Sequence, residues 1–136
     1  MVALGACGSP ARDVLTLPNA PTSTVALGTD FTLAPGESVL VDGAGTALTF
    51  VGVTGDSRCP SSELLQCVWA GSVQLAMRAT TAAGVRVLPL ETVAHRDTAS
   101  VGEHLVTLRS VAPARLMFDS IPPASYRATL QITRKN

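Results

Sequence analysis

The chain carries little charge, and what it carries cancels. Ten basic and ten acidic residues give a formal net charge of zero, and charged residues make up only 15% of the 136. So sparse and balanced a set offers no electrostatic footprint for nucleic acid or for an anionic membrane surface. One basic residue is lysine and the other nine are arginines, spread singly along the chain. With the abundance of Ala, Val and Gly, that bias points to a GC-rich genome rather than to a binding patch. No run of 18 apolar residues occurs, so no transmembrane helix is expected. No window longer than two turns keeps a helical period, and there is no internal repeat or low-complexity tract. A catalytic triad, a phosphate-binding glycine loop and a metal-ligand cluster are all missing, so no cofactor is expected. Two histidines and three cysteines leave few residues for metal or nucleophile chemistry.

What is present is β pattern. At 136 residues the chain is long enough for one domain with its own core. Residues 31–33 precede a turn at Ala34-Pro35-Gly36, and residues 38–42 run to a second turn at Gly43 and Gly45. Residues 47–53 are apolar nearly throughout, as in a strand buried on both sides or near a sheet centre. Residues 72–80 alternate, with Val73, Leu75, Met77 and Ala79 facing a core and Gln74, Arg78 and Thr80 facing water. Residues 85–93 form a strand broken by Pro89, which favours an edge or a bulge. Residues 95–102 are polar and read as a loop. Residues 103–111 and 126–133 complete the set, the last with Tyr126, Ala128, Leu130 and Ile132 on one side. About seven strands with turns every 8–12 residues predict an all-β fold, an antiparallel β-sandwich of immunoglobulin-like or related type.

The N-terminus reads Leu4-Gly5-Ala6-Cys7, then Gly8-Ser9-Pro10. This resembles the lipobox of bacterial lipoproteins, which implies diacylglyceryl attachment at Cys7 and cleavage before it. Six residues precede Cys7, too few for a basic n-region and a full apolar h-region; an upstream start or a trimmed chain would account for that. Residues 1–7 are thus expected to be a signal-peptide remnant. Residues 8–24, with Pro10, Pro18 and Pro21, read as a flexible tether in which residues 14–17 could add an edge strand. Residues 25–136 would be the single domain. The expected location is the bacterial cell envelope, membrane-anchored only through Cys7 and facing the periplasm or exterior.

With Cys7 lipidated, Cys59 and Cys67 can pair with none left over. The pair would indicate an oxidising compartment and stabilise the fold by roughly 2–3 kcal/mol. Free cytosolic thiols are the alternative. The spacing is not that of a zinc site. Pro60 and Glu63 favour a helical turn between the cysteines. A continuous helix would set their α-carbons about 12 Å apart. A disulfide needs under about 7 Å, so the helical turn must be short.

The densest segment is residues 55–71, GDSRCPSSELLQCVWAG. It resembles a motif of uncharacterised bacterial secreted proteins and lipoproteins, D-S-R-C-P, a short variable stretch, then C-x-W-A-G. The resemblance covers about 35 residues with the flanking strands and implies no activity. Its residues read as a disulfide-stapled loop joining two strands. Trp69 would pack on the core or on the disulfide, and Asp56 and Arg58 are close enough to pair or to cap backbone groups. The functional alternative is a partner-binding surface made of Asp56, Arg58, Leu64, Leu65 and Trp69. The partner would be an unknown protein or envelope component.

Other constellations weigh less. Gly55-Asp56-Ser57 matches the Gly-Asp-Ser block of a serine hydrolase family, but that family needs an α/β fold and a histidine near the C-terminus, and the last one here is His104. The cysteine spacing is far too short for the inter-sheet disulfide of an immunoglobulin domain. A small metal-binding protein or enzyme could use His95, Asp97 and His104, with Met117, although a blue-copper arrangement of Cys, His and Met is absent.

Overall fold

The computed structural model describes residues 23–60, 67–68, 70–115 and 120–135. Cys7, most of the tether, the helical turn between the cysteines, Leu64, Leu65, Trp69 and Met117 lie outside the described residues.

The described residues form nine strands: β1 (Ser23–Val25), β2 (Phe31–Leu33), β3 (Ser38–Val41), β4 (Thr46–Asp56), β5 (Val73–Thr81), β6 (Gly84–Glu91), β7 (Thr98–Val101), β8 (His104–Ala112) and β9 (Arg127–Arg134). They form a five-stranded sheet ordered β1-β3-β4-β5-β6 and a four-stranded sheet ordered β2-β9-β8-β7. All pairings are antiparallel except β1 with β3. Among the described residues one 3-10 turn, Pro123–Ser125, leads into β9. The fold is an all-β sandwich, as the strand pattern predicted.

The core fills the space between the two inner faces. The five-stranded sheet contributes Val39, Val41, Leu48, Phe50, Leu75, Met77, Leu88 and Leu90, and the four-stranded sheet contributes Val106, Leu108, Ala128, Leu130 and Ile132. Strand alternation selects these residues, since every second side chain points the same way. In β5 the expected inward set, Val73, Leu75, Met77 and Ala79, is buried. Burying this apolar surface is the main favourable contribution to folding.

Three expectations need adjustment. The two strands beyond seven, β1 and β7, are both sheet edges. β1 begins at Ser23, so residues assigned to the tether already belong to the sheet. β7 lies inside the stretch read as a polar loop; only Val101 of its four residues is buried, so the apolar signal is weak. Finally, β4 is the middle strand of its sheet, as one of the two readings of residues 47–53 had it, while burial on both faces holds only around Thr49. Register shifts between Phe50 and Gly52 and between Val53 and Gly55 mark bulges, and Val51 is exposed.

Candidate functional site

β4 and β5 are neighbours in one sheet, so residues 55–71 form the end of a β-hairpin rather than a passage between sheets. The ladder continues past the strand ends. Ser57 N–H donates to the Ser72 carbonyl at 2.8 Å, and Cys59 N–H donates to the Ala70 carbonyl at 2.9 Å. The Ser57 hydroxyl accepts from Ser72 N–H at 3.1 Å and donates to the Ser72 carbonyl at 3.2 Å. Beyond these bonds Cys59 and Cys67 form a disulfide with α-carbons 6.1 Å apart, within the reach required of the pair.

Gly71 explains the last residue of the motif. Its φ is +74°, and a β-carbon there would lie 1.9 Å from the Ser57 carbonyl oxygen and 2.9 Å from the Arg58 α-carbon. Only glycine lets the two hairpin arms approach this closely while the backbone is left-handed.

The polar residues of the motif meet at the hairpin base. The Asp56 carboxylate accepts from Arg58 Nε at 2.9 Å on one oxygen and from Arg58 Nη2 at 2.8 Å on the other. Arg58 N–H adds a third bond at 3.2 Å, and the Tyr126 hydroxyl a fourth at 2.8 Å. The side chains of Arg58 and Asp56 are only 19% and 11% exposed. The fork-shaped guanidinium matches the carboxylate geometrically, and both bonds are charge-assisted. Arg58 and then Tyr126 hold the Asp56 carboxyl down to about 2, against the opposing pull of burial. The Arg58 guanidinium is held above its usual value by the same carboxylate. Burial and the Asp56 charge raise the Tyr126 hydroxyl.

This cluster ties the two sheets together at one end of the sandwich. Arg58 Nη1 reaches the Val111 carbonyl on β8 at 3.5 Å, and Tyr126 stands immediately before β9. Arg115 Nη1 donates to the Asp56 and Arg58 carbonyls, both at 3.1 Å. A cleft of about 280 Å³ lies beside the cluster, lined by Val53, Asp56, Arg115, Ile121 and Tyr126. On the other arm, the buried Ser72 hydroxyl donates to the Glu91 carboxylate, which also accepts from Arg96 at 3.4 Å. The Ser72 bond first, and then Arg96, lower the Glu91 carboxyl below its ordinary value.

Asp56 and Arg58 are therefore brought together as a pair. His95, Asp97 and His104 are not. His95, with a positive φ of 71°, lines a cleft of about 450 Å³ with Glu91 and Arg96. His104 lines a separate cleft of about 480 Å³ with Arg86 and Glu103. The Asp97 carbonyl accepts from Leu108 N–H, and His104 lies four residues from Leu108 along β8, or about 13 Å. Among the described residues, no three His, Cys, Asp or Glu side chains are grouped to hold a metal ion. His104 Nε2 is buried without a partner among those residues.

Sequence reasoning missed Tyr126 and Arg115. Tyr126 is the only tyrosine in the chain, which singles it out, but its 70-residue separation from Asp56 hides the contact.

Among the described residues, no helix is long and apolar enough to cross a membrane. Comparison with known proteins finds no matching family, no matching curated protein and no matching solved structure.

Proposed function

We propose that the chain is the extracytoplasmic part of a bacterial envelope lipoprotein, anchored by a lipid on Cys7 and working by binding rather than by catalysis. In this reading the tip of the β4–β5 hairpin, with Leu64, Leu65 and Trp69, is displayed to a protein or other envelope component. The observation that carries the reading is the double restraint on that tip. The Cys59–Cys67 disulfide staples it from within, and the Asp56–Arg58–Tyr126 cluster clamps its base to the other sheet. A displayed loop restrained in this way loses less conformational freedom on binding. The chemistry of the motif supports the same reading. A carboxyl held near 2 by an arginine is a poor proton acceptor at neutral pH, so Asp56 is ill-suited to act as a general base. A disulfide persists in an oxidising compartment, and the lipobox-like Leu4-Gly5-Ala6-Cys7 and the D-S-R-C-P motif suggest the same location.

Two experiments test the proposal. Photo-crosslinking from positions 64 and 65 in the native envelope should give one discrete adduct, lost in Trp69→Ala; no adduct from either position would sink the binding reading. Intact mass of the membrane-extracted protein should show a diacylated N-terminal cysteine that Cys7→Ala abolishes. A mature chain with an unmodified Cys7 would refute the anchor.

A further inference from the structure

The strands at the sheet edges differ in length. β1, β2 and β7 are three, three and four residues long, whereas β6 runs for eight. A short edge is self-limiting, but a long one is a template for another strand along whatever stretch charge, proline or a bulge leaves unblunted, which in β6 is the part before Pro89. β6 pairs with β5 along its whole length and with no other strand among the described residues.

The backbone parity of β6 can be read from its ends. In an antiparallel ladder, alternate residues turn their N–H and C=O toward the neighbour and away from it. Glu91 N–H bonds the Arg96 carbonyl rather than β5, while Thr92 N–H bonds the Val73 carbonyl at the end of β5. Odd-numbered residues therefore face the free edge and even-numbered ones face β5. Pro89 fits this pattern, because its missing N–H costs the β5 ladder nothing. Val85 and Val87 consequently turn both backbone groups to the free edge. They also carry the most exposed valine side chains on the outer face of the sheet, at 60% and 61%.

We propose that β6 pairs antiparallel with β6 of a second copy across a twofold axis at Val87, joining two five-stranded sheets into one of ten. At this register the two Val87 residues exchange both of their backbone hydrogen bonds. Each Val85 N–H donates to the Pro89 carbonyl of the other copy. Proline then leaves only the Val85 carbonyl unmatched on each side. On the outer face Val87 meets Val87 and Val85 meets Pro89, apolar pairs of the kind that stabilise adjacent strands. Charge selects the register. An axis at Arg86 would satisfy as many bonds but would set two arginines directly opposite each other, which is destabilising. With the axis at Val87, Arg86 faces Leu88 of the second copy and keeps its bond to the Ser100 carbonyl at 3.2 Å. The contact is smaller than the roughly 1,200–2,000 Å² of a standard stable interface, so the dimer is weak and concentration-dependent.

Sedimentation equilibrium from about 10 μM to about 1 mM covers the range in which so small an interface assembles. The weight-average mass should climb from the 14.0 kDa of one chain toward twice that value. Val87→Lys, which places like charges on the axis, should hold the mass at that of the monomer at every concentration. Val87→Pro should do the same, because it removes the outward N–H and spares the β5 ladder. Circular dichroism confirms that each variant is folded, and if the proline variant is not, the lysine variant carries the comparison. Leu40→Lys lies on the same outer face three strands away and should leave association intact. A wild-type mass that stays at one chain throughout overturns the proposal. So does a loss of association in Leu40→Lys equal to that in Val87→Lys, which would mean that the sheets stack face to face.

Discussion

Replacing Asp56 by asparagine removes one charge and keeps the shape, so it isolates the ionic part of the clamp. Asp56 falls from 3.8 to about 2 in the folded protein. At about 1.36 kcal/mol per pKa unit, that difference corresponds to about 2 kcal/mol of stability. The sign follows from the direction of the shift. A carboxyl depressed on folding contributes its full stabilisation above the unfolded value near 3.8, and the contribution disappears as pH falls through about 2. Chemical denaturation of wild type and Asp56→Asn should therefore differ by about 2 kcal/mol at pH 7, and by more if the partly buried Arg58 is left unpaired. The gap should hold down to about pH 4 and close toward pH 2. Titration of the other carboxylates is common to both proteins and cancels in the difference. A gap below about 0.5 kcal/mol at pH 7, or one that stays constant into acid, would refute the assignment of Asp56 as the ionised centre of the clamp.

Tyr126→Phe should cost about 1–2 kcal/mol by denaturation, because a bond to a charged acceptor is lost, and should move the acid limb of the stability profile to higher pH. Gly71→Ala should cost about 2–3 kcal/mol or more and lower the melting temperature sharply, since the backbone is left-handed and the new methyl overlaps the Ser57 carbonyl. Changing both Cys59 and Cys67 to serine should lower stability by roughly 2.5 kcal/mol under oxidising conditions while leaving the far-UV β spectrum unchanged; reductant should then affect wild type and not the variant.

Two of the strands that carry the core, β5 and β9, were legible from alternation alone. Met77 and Ala79 in β5, and Leu130 and Ile132 in β9, are buried where a period of two placed them. The edges were not legible. β1 and β7 have three and four residues, too few to establish a period, and β7 is built mostly of small polar side chains. At the candidate site, the Asp56–Arg58 pair was legible because the two residues are neighbours along the chain. Its third member, Tyr126, was not, because nothing local links residues 70 positions apart.

By itself the sequence determined the class of fold, the inward-facing residues of β5 and β9 and residues 55–71 as the segment richest in polar chemistry. Those conclusions rest on strand periodicity and on spacing along the chain, which are local. Only the tertiary structure decided that this segment is a hairpin end, that its ion pair also bonds Tyr126 and the Val111 carbonyl, and that Arg115 holds the Asp56 and Arg58 main-chain carbonyls. It also decided which strand is left, among the described residues, as a long free edge. These depend on strand order and register, which are set by how two twisted sheets bury a shared core.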